Sequence, residues 1–243
     1  MLFQDHLNPE TEVVFLPGSM CDGRLFTPQV KTLSQQGFEC HVADLTSALT
    51  YEGLAENILN AASDKFALIG LSMGGTLALE IFRQAPKRVT LLALLNTTAK
   101  ADRAKETRLE HIKQAKSGGL ARLMQENYFP RYLSPGSNAA EILPIVAQMA
   151  AELGPEGFEQ QSKAMMSRSS MEPVLETIDV PTLILAGQDD GICPVTLHQD
   201  MADKISHAEF KILADCGHIS TLEKPQLVND ALLGLLGTSV SSL

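Results

Sequence analysis

Short runs that are almost wholly apolar alternate along this chain with longer stretches of helical period. Residues 13–16 (VVFL), 67–70 (ALIG), 91–95 (LLALL) and 182–186 (TLILA) lack a polar face. A strand without a polar face is buried on both sides, as in a parallel sheet covered by helices. Residues 38–42 and Glu209–Leu213 are weaker strand candidates of similar length. Between these runs, residues 25–35 read as a helix that stops before Gly37. Residues 51–62 set Leu54, Ile58 and Leu59 on one face, and 73–85 do the same with Leu77, Ile81 and Phe82 before Pro86. Residues 195–205 and 222–236 complete the helical set. The alternation predicts βαβ units and an α/β fold: a mostly parallel sheet of about six strands flanked by helices.

One stretch departs from this rhythm. Residues 98–172 contain no convincing strand, only charged amphipathic pieces such as 104–116 and 120–128, punctuated by Gly118-Gly119, Pro130, Pro135-Gly136 and Gly154-Pro155. A structureless loop of that length is improbable inside a compact domain. The segment therefore reads as a helical insertion over the sheet, dividing the core into residues 1–97 and 173–243.

Charge narrows the partners. A net charge of −10 over 243 residues repels nucleic-acid phosphates and anionic membrane surfaces, so neither is an expected partner. No apolar run approaches the roughly 20 residues that cross a bilayer, so membrane insertion is not expected either. The opening MLFQDHLNPE lacks the basic start and apolar run of a secretory signal. Cys21, Cys40, Cys193 and Cys216 are scattered, with neither a CxxC pair nor zinc-like spacing. Free thiols in a reducing cytoplasm, with no metal and no organic cofactor, are the expectation.

Candidate chemistry concentrates in residues 65–80, KFALIGLSMGGTLALE. Gly70-Leu71-Ser72-Met73-Gly74 is a G-x-S-x-G placed directly after a buried strand and directly before an amphipathic helix, the context of a nucleophile elbow. Small residues two positions either side of the serine let the chain turn sharply, and Ser72 is left at a helix N-terminus that favours developing negative charge. A serine needs a base, and the base an orienting acid; in folds with such an elbow the three follow in the chain order Ser, Asp or Glu, His. His6 and His41 precede the serine. His111 sits among charged helical residues and reads as part of a solvated face, and His198 and His207 fall in or beside a surface helix. His218 alone lies in a loop just after a strand candidate, the place where such sheets put their chemistry. For the acid, residues 182–194 run from a buried strand into a turn with Asp189 and Asp190 adjacent, and the residues alone leave both open.

Taken together, GLSMGG, LAGQDDGICP and DCGHISTLEKP resemble the elbow, acid loop and histidine loop of the α/β-hydrolase superfamily, over nearly the whole chain. The resemblance implies that the acid is Asp190, three residues after Gly187 and four before Pro194. It implies two backbone oxyanion donors, the N–H groups of Ser19 and Met73, although Pro17 stands where the family usually has His. It also implies that residues 98–172 form a cap, and that one or both strands of the antiparallel hairpin with which family members often start are missing here. The activity it implies is cleavage of a small or medium, apolar carboxylic ester through an acyl-enzyme. Lactones, thioesters and carbon–carbon bonds are alternatives for the same triad, and a ligand receptor is the reading from a different class. Methionines near the serine and in the cap, Met20, Met124 and Met165 among them, are candidate pocket residues, equally readable as core filler.

Overall fold

The computed structural model describes residues 11–237. The reading made above for the first ten residues lies outside them.

Six strands form one sheet, all parallel: β1 (Glu12–Leu16), β2 (Cys40–Val42), β3 (Phe66–Leu71), β4 (Val89–Leu95), β5 (Thr182–Gly187) and β6 (Glu209–Leu213), in the order β2-β1-β3-β4-β5-β6. The four inner strands carry the apolar runs, and the alternation of side chains divides them between two cores. Val13, Phe15, Ile69, Leu91 and Leu185 face one side; Val14, Leu16, Leu68, Leu92 and Ile184 face the other.

Helices cover both faces. The first core is closed by α1 (Thr27–Gln35) and by a helix near the C-terminus, the second by α2 (Tyr51–Ala61) and α3 (Met73–Gln84). Between β4 and β5 the chain runs through α4 (Lys105–Gln114), the short α5 (Leu120–Leu123), a long α6 (Ala139–Ser167) and the single turn α7 (Glu172–Leu175). Gly154, at φ 67°, breaks α6, so that Pro155 opens a second helical run. This segment is anchored through Ile112, Leu123, Val146 and Met149, all buried in the first core. After β5 come α8 (Val195–Ala202), β6, α9 (Ser220–Glu223) and α10 (Pro225–Leu235).

Two expectations from periodicity are corrected. Residues 222–236 are not one helix: Lys224 precedes a proline and takes an extended φ of −130°, so the chain breaks there and Pro225 starts α10. His198, read as a surface residue, is completely buried under the end of β4. None of the helices among the described residues is long and apolar enough to cross a membrane.

The sheet order reverses direction between β1 and β3, since β1 leads outward to β2 and β3 leads the other way to β4. In open parallel sheets the crevice beyond the carboxyl ends of the strands at such a point is where ligands bind. The loop 17–22 leaves β1 there, and Ser72 follows β3.

Candidate active site

Ser72 is held in a conformation that few non-glycine residues adopt, φ 56° and ψ −114°. The turn is enforced from both sides: a Cβ on Gly70 would lie 2.4 Å from the Gly74 carbonyl oxygen, and one on Gly74 would lie 1.9 Å from that of Leu16. Only glycine permits β1, β3 and α3 to come this close, which explains the spacing of the motif. The Ser72 N–H donates to Leu95 O at 2.9 Å, and its carbonyl accepts from the Thr97 hydroxyl at 2.6 Å. Backbone strain at the serine is thus restrained by β4 and the residues that follow it.

His218 and Asp190 meet at the ends of β5 and β6. The imidazole Nδ1 is 2.9 and 2.8 Å from the two carboxylate oxygens, and both side chains are buried. Asp190 also accepts from the N–H groups of Ile192 and Cys193, each at 2.8 Å, and from Asn96 Nδ2 at 3.0 Å. Burial pushes the carboxyl upward, but the facing imidazole and these donors outweigh it and hold the group below its ordinary value. An ionised acid on Nδ1 fixes that nitrogen as the donor and leaves Nε2 free to act as a base. The histidine loop is pinned across the helical segment: Tyr132 O accepts the His218 N–H at 2.6 Å, and Glu223 accepts from Gly217 N and Ser134 N at 2.7 and 2.8 Å. Asp189 turns away and accepts from the Ser134 hydroxyl at 2.6 Å.

Ser72 borders two cavities. A small one of about 90 Å³ also contacts Gly18, Ser19, Tyr132, His218 and Ile219. A larger one of about 480 Å³ extends from Ser72 and Met73 past Thr76 and Thr97 toward α4. Met165 lines both. Met20 and Met124 line neither. Met20 has φ 59°, which turns its side chain into the first core, and Met124 packs between α5 and α6 against a separate apolar cavity of about 210 Å³. His111, read as part of a solvated face, instead borders the large cavity and lies 3.0 Å from the Tyr128 hydroxyl.

The two N–H groups expected as oxyanion donors lie at the start of α3 and in the loop after β1. Met73 opens α3, so its N–H is among those a helix leaves without an internal acceptor. In the loop after β1, the Met20 N–H is taken by Gln161 Oε1 at 2.7 Å, and the Ser19 hydroxyl approaches the same oxygen at 3.3 Å. The Ser19 N–H has no acceptor among the described residues.

Three contributors escape sequence reasoning. Asn96, at φ 46°, bridges Asp190 and Gly217 O (3.1 Å); an asparagine capping an apolar strand at its carboxyl end was the available signal. His198 Nε2 accepts from the Thr97 N–H at 2.9 Å, so its Nδ1 carries the proton toward Pro194 O, and burial drives its pKa down to about 4. Gln161 lies within α6, where nothing in the local pattern distinguishes it.

Asp190, Cys193 and His218 are the described residues whose donor atoms lie close enough together, within 4.8 Å, to be compared with a metal site. The carboxylate oxygens are already saturated, and burial raises the Cys193 thiol far above its ordinary value, which makes it a poor ligand.

Sheet order, crossover positions and the elbow after β3 define an α/β-hydrolase. Residues 13–231 match the model of the Alpha/beta hydrolase family, and the chain belongs to that family. It is similar to 3-oxoadipate enol-lactonase 2 of Acinetobacter baylyi, 28% identical over 167 residues; that match spans 67% of this chain and 60% of the relative, less than two thirds of the latter's length. It is also similar to the pimeloyl-[acyl-carrier protein] methyl ester esterase of Nitrosospira multiformis, 23% identical over 92% of this chain and 94% of the relative. Among solved structures, a thermophilic esterase from Thermogutta terrifontis superposes with a TM-score of 0.84 at 27% identity, covering 93% of this chain and 89% of the other.

Proposed function

We propose that this protein is a serine hydrolase that cleaves a carboxylic ester through an acyl-enzyme, with Ser72 as nucleophile, His218 as base and Asp190 as orienting acid. The observation that carries the reading is the buried Asp190–His218 pair opening onto a cavity shared with a serine in strained elbow geometry.

Ser72 Oγ attacks the carbonyl carbon as its proton passes to His218 Nε2, and the imidazolium is stabilised by Asp190. The Ser19 and Met73 N–H groups receive the oxyanion, a contribution of about 3 kcal/mol per donor to the barrier in comparable sites. The carbon–oxygen bond to the alcohol then breaks, and the alcohol leaves with the proton from His218. Water, deprotonated by His218, attacks the acyl-enzyme; the acid is released and Ser72 regains its proton. Residues 98–172 act as the cap. The substrate is a small molecule, and the four free cysteines suit a reducing cytoplasm.

A lactone is the second reading, favoured by the Acinetobacter relative's name. In that case the alcohol stays tethered to the product and the same triad operates. The test is hydrolysis of p-nitrophenyl esters of increasing acyl length, and of simple lactones, by the wild type and Ser72→Ala. Activity lost in the variant supports the proposal, and the ratio of ester to lactone turnover selects between the readings. Equal activity in both proteins removes Ser72 as nucleophile.

A further inference from the structure

The large cavity beside Ser72 has the opposite charge to the chain. Arg108, Arg131 and Arg168 line it and no carboxylate does, although the chain carries a net charge of −10. Two of the three guanidinium groups are held by a carboxylate or a carbonyl. Arg108 is paired with the buried Asp102 at 3.1 Å, and Arg131 donates through Nε and Nη2 to Gly191 O at 3.0 and 2.7 Å. Arg168 differs. Its Nε is buried with no hydrogen-bond partner, its other side-chain contacts are with two neutral hydroxyls, Thr76 at 3.5 Å from Nη1 and the buried Tyr51, and no carboxylate pairs with it among the described residues. A guanidinium presents five donors in a fixed fork that matches a carboxylate, and leaving such donors dry and unpaired is unfavourable. Thr76 already donates to Thr98 O at 2.8 Å, so its oxygen faces Arg168 as an acceptor.

The cavities also separate the two halves of an ester. His218 lines the small cavity and not the large one. The leaving alcohol must lie against the histidine that protonates it, so the acyl chain extends into the large cavity. Thr76 follows Ser72 by one helical turn, about 5.4 Å along the axis, and its N–H donates to Ser72 O.

From this arrangement, and resting on the serine-hydrolase reading above, we infer that the acyl part of the substrate ends in a carboxylate held by Arg168: the substrate is a monoester, or the internal ester, of a short dicarboxylic acid. Arg131, whose hydrogen bonds go to a neutral carbonyl, keeps the surrounding potential positive, while Asp102 offsets the charge of Arg108 and holds it in place.

The test compares mono-p-nitrophenyl esters of glutaric, adipic and suberic acids with p-nitrophenyl esters of the monoacids of equal length. In the wild type the ratio of kcat/KM, carboxylated over neutral, is expected to exceed one at one of these lengths and to fall as salt is added. In Arg168→Gln that ratio falls about 10–100-fold, the loss of a charge-assisted bidentate contact, and Arg168→Lys recovers part of it. A wild-type ratio at or below one at every length, or a ratio unchanged in Arg168→Gln, overturns the inference. Calorimetric titration of Ser72→Ala with monomethyl adipate and with methyl hexanoate decides the same point without turnover. Preference for the acid, lost when Arg168→Gln is added, supports the subsite, and equal binding overturns it. Absence of Ser72-dependent hydrolysis of every ester refutes the serine-hydrolase reading, while the titration still decides whether the cavity selects an anion.

Discussion

Replacing Gln161 by Leu separates the stability of the loop after β1 from its part in the reaction. Gln161 Oε1 accepts the Met20 N–H at 2.7 Å, where Met20 is 1% exposed and Gln161 likewise 1%. Met20 sits at φ 59°, a conformation that costs a branched or long side chain about 1–2 kcal/mol. The leucine removes a hydrogen bond with a net value of about 1 kcal/mol and leaves a buried donor unpaired, at about 1–3 kcal/mol more. The expected loss of stability is about 2–4 kcal/mol. At about 2–4 °C per kcal/mol for a chain of this size, Tm falls by roughly 5–15 °C in calorimetry or thermal fluorescence. The neighbouring Ser19 N–H then loses its fixed direction, and kcat toward a p-nitrophenyl ester falls about 10–100-fold with little change in KM, because the donor acts on the oxyanion of the transition state. Gln161→Glu keeps an acceptor oxygen in place and restores part of kcat. A lowered Tm with kcat intact would show that the glutamine serves folding alone. An unchanged Tm would refute the hydrogen-bond argument from which both numbers come.

Other outcomes follow from the same geometry. Asp190→Asn removes the charge that holds His218, and kcat falls about 10³–10⁴-fold at neutral pH while circular dichroism stays native. Gly74→Ala sets a Cβ 1.9 Å from Leu16 O, a clash with backbone that cannot swing away, so a stability loss of about 3 kcal/mol or more is expected in urea titration. His198 has a folded pKa of about 4 against an ordinary 6.5, so the unfolded chain binds more protons between these values. Its contribution is present above pH 6.5 and is lost as pH falls toward 4, up to about 3 kcal/mol, and His198→Gln flattens Tm against pH in that window. Asp190, whose pKa is lowered, affects stability only at still lower pH, as the solution passes below the ordinary carboxylate range. Cys21, Cys193 and Cys216 are buried and burial raises all three thiols, so at most Cys40 reacts with a thiol reagent in the native protein, and all four react once it is unfolded.

How far the chain reveals its own fold depends on whether a segment's environment is uniform. β1, β3, β4 and β5 have neighbours on both edges and helices on both faces, so residues 13–16, 67–70, 91–95 and 183–186 are apolar without interruption and the runs stand out. β2 and β6 are edge strands, partly solvated, and Glu209 and Ile212 in β6 are exposed; a mixed environment leaves a mixed pattern. The elbow is legible because backbone contacts at Gly70 and Gly74 tolerate no side chain, which makes the local sequence nearly obligatory. His198 misleads for the opposite reason. On α8 it has helical neighbours of ordinary polarity, and only the tertiary approach of the Thr97 N–H makes a buried neutral imidazole favourable. Asn96 lies between these cases, visible as a polar residue ending an apolar strand but without a role until Asp190 and Gly217 are brought to it from two other loops.

The replacement of the family's usual His by Pro17 acquires a physical sense from the same contacts. A backbone donor to an oxyanion depends on the direction of its N–H and not on side-chain identity, so a proline at this position leaves the loop able to supply one. Here the neighbouring Met20 N–H is occupied by a glutamine from α6, more than a hundred residues away in sequence. The helical segment therefore holds the loop that carries the proposed Ser19 donor, through Tyr132 O and Ser134 it also holds the histidine loop, and through Arg168 it lines the large cavity. A cut in the chain at Pro135-Gly136, with both fragments retained, should accordingly reduce kcat more than it raises KM; an effect confined to KM would mean that the segment only shapes the pocket.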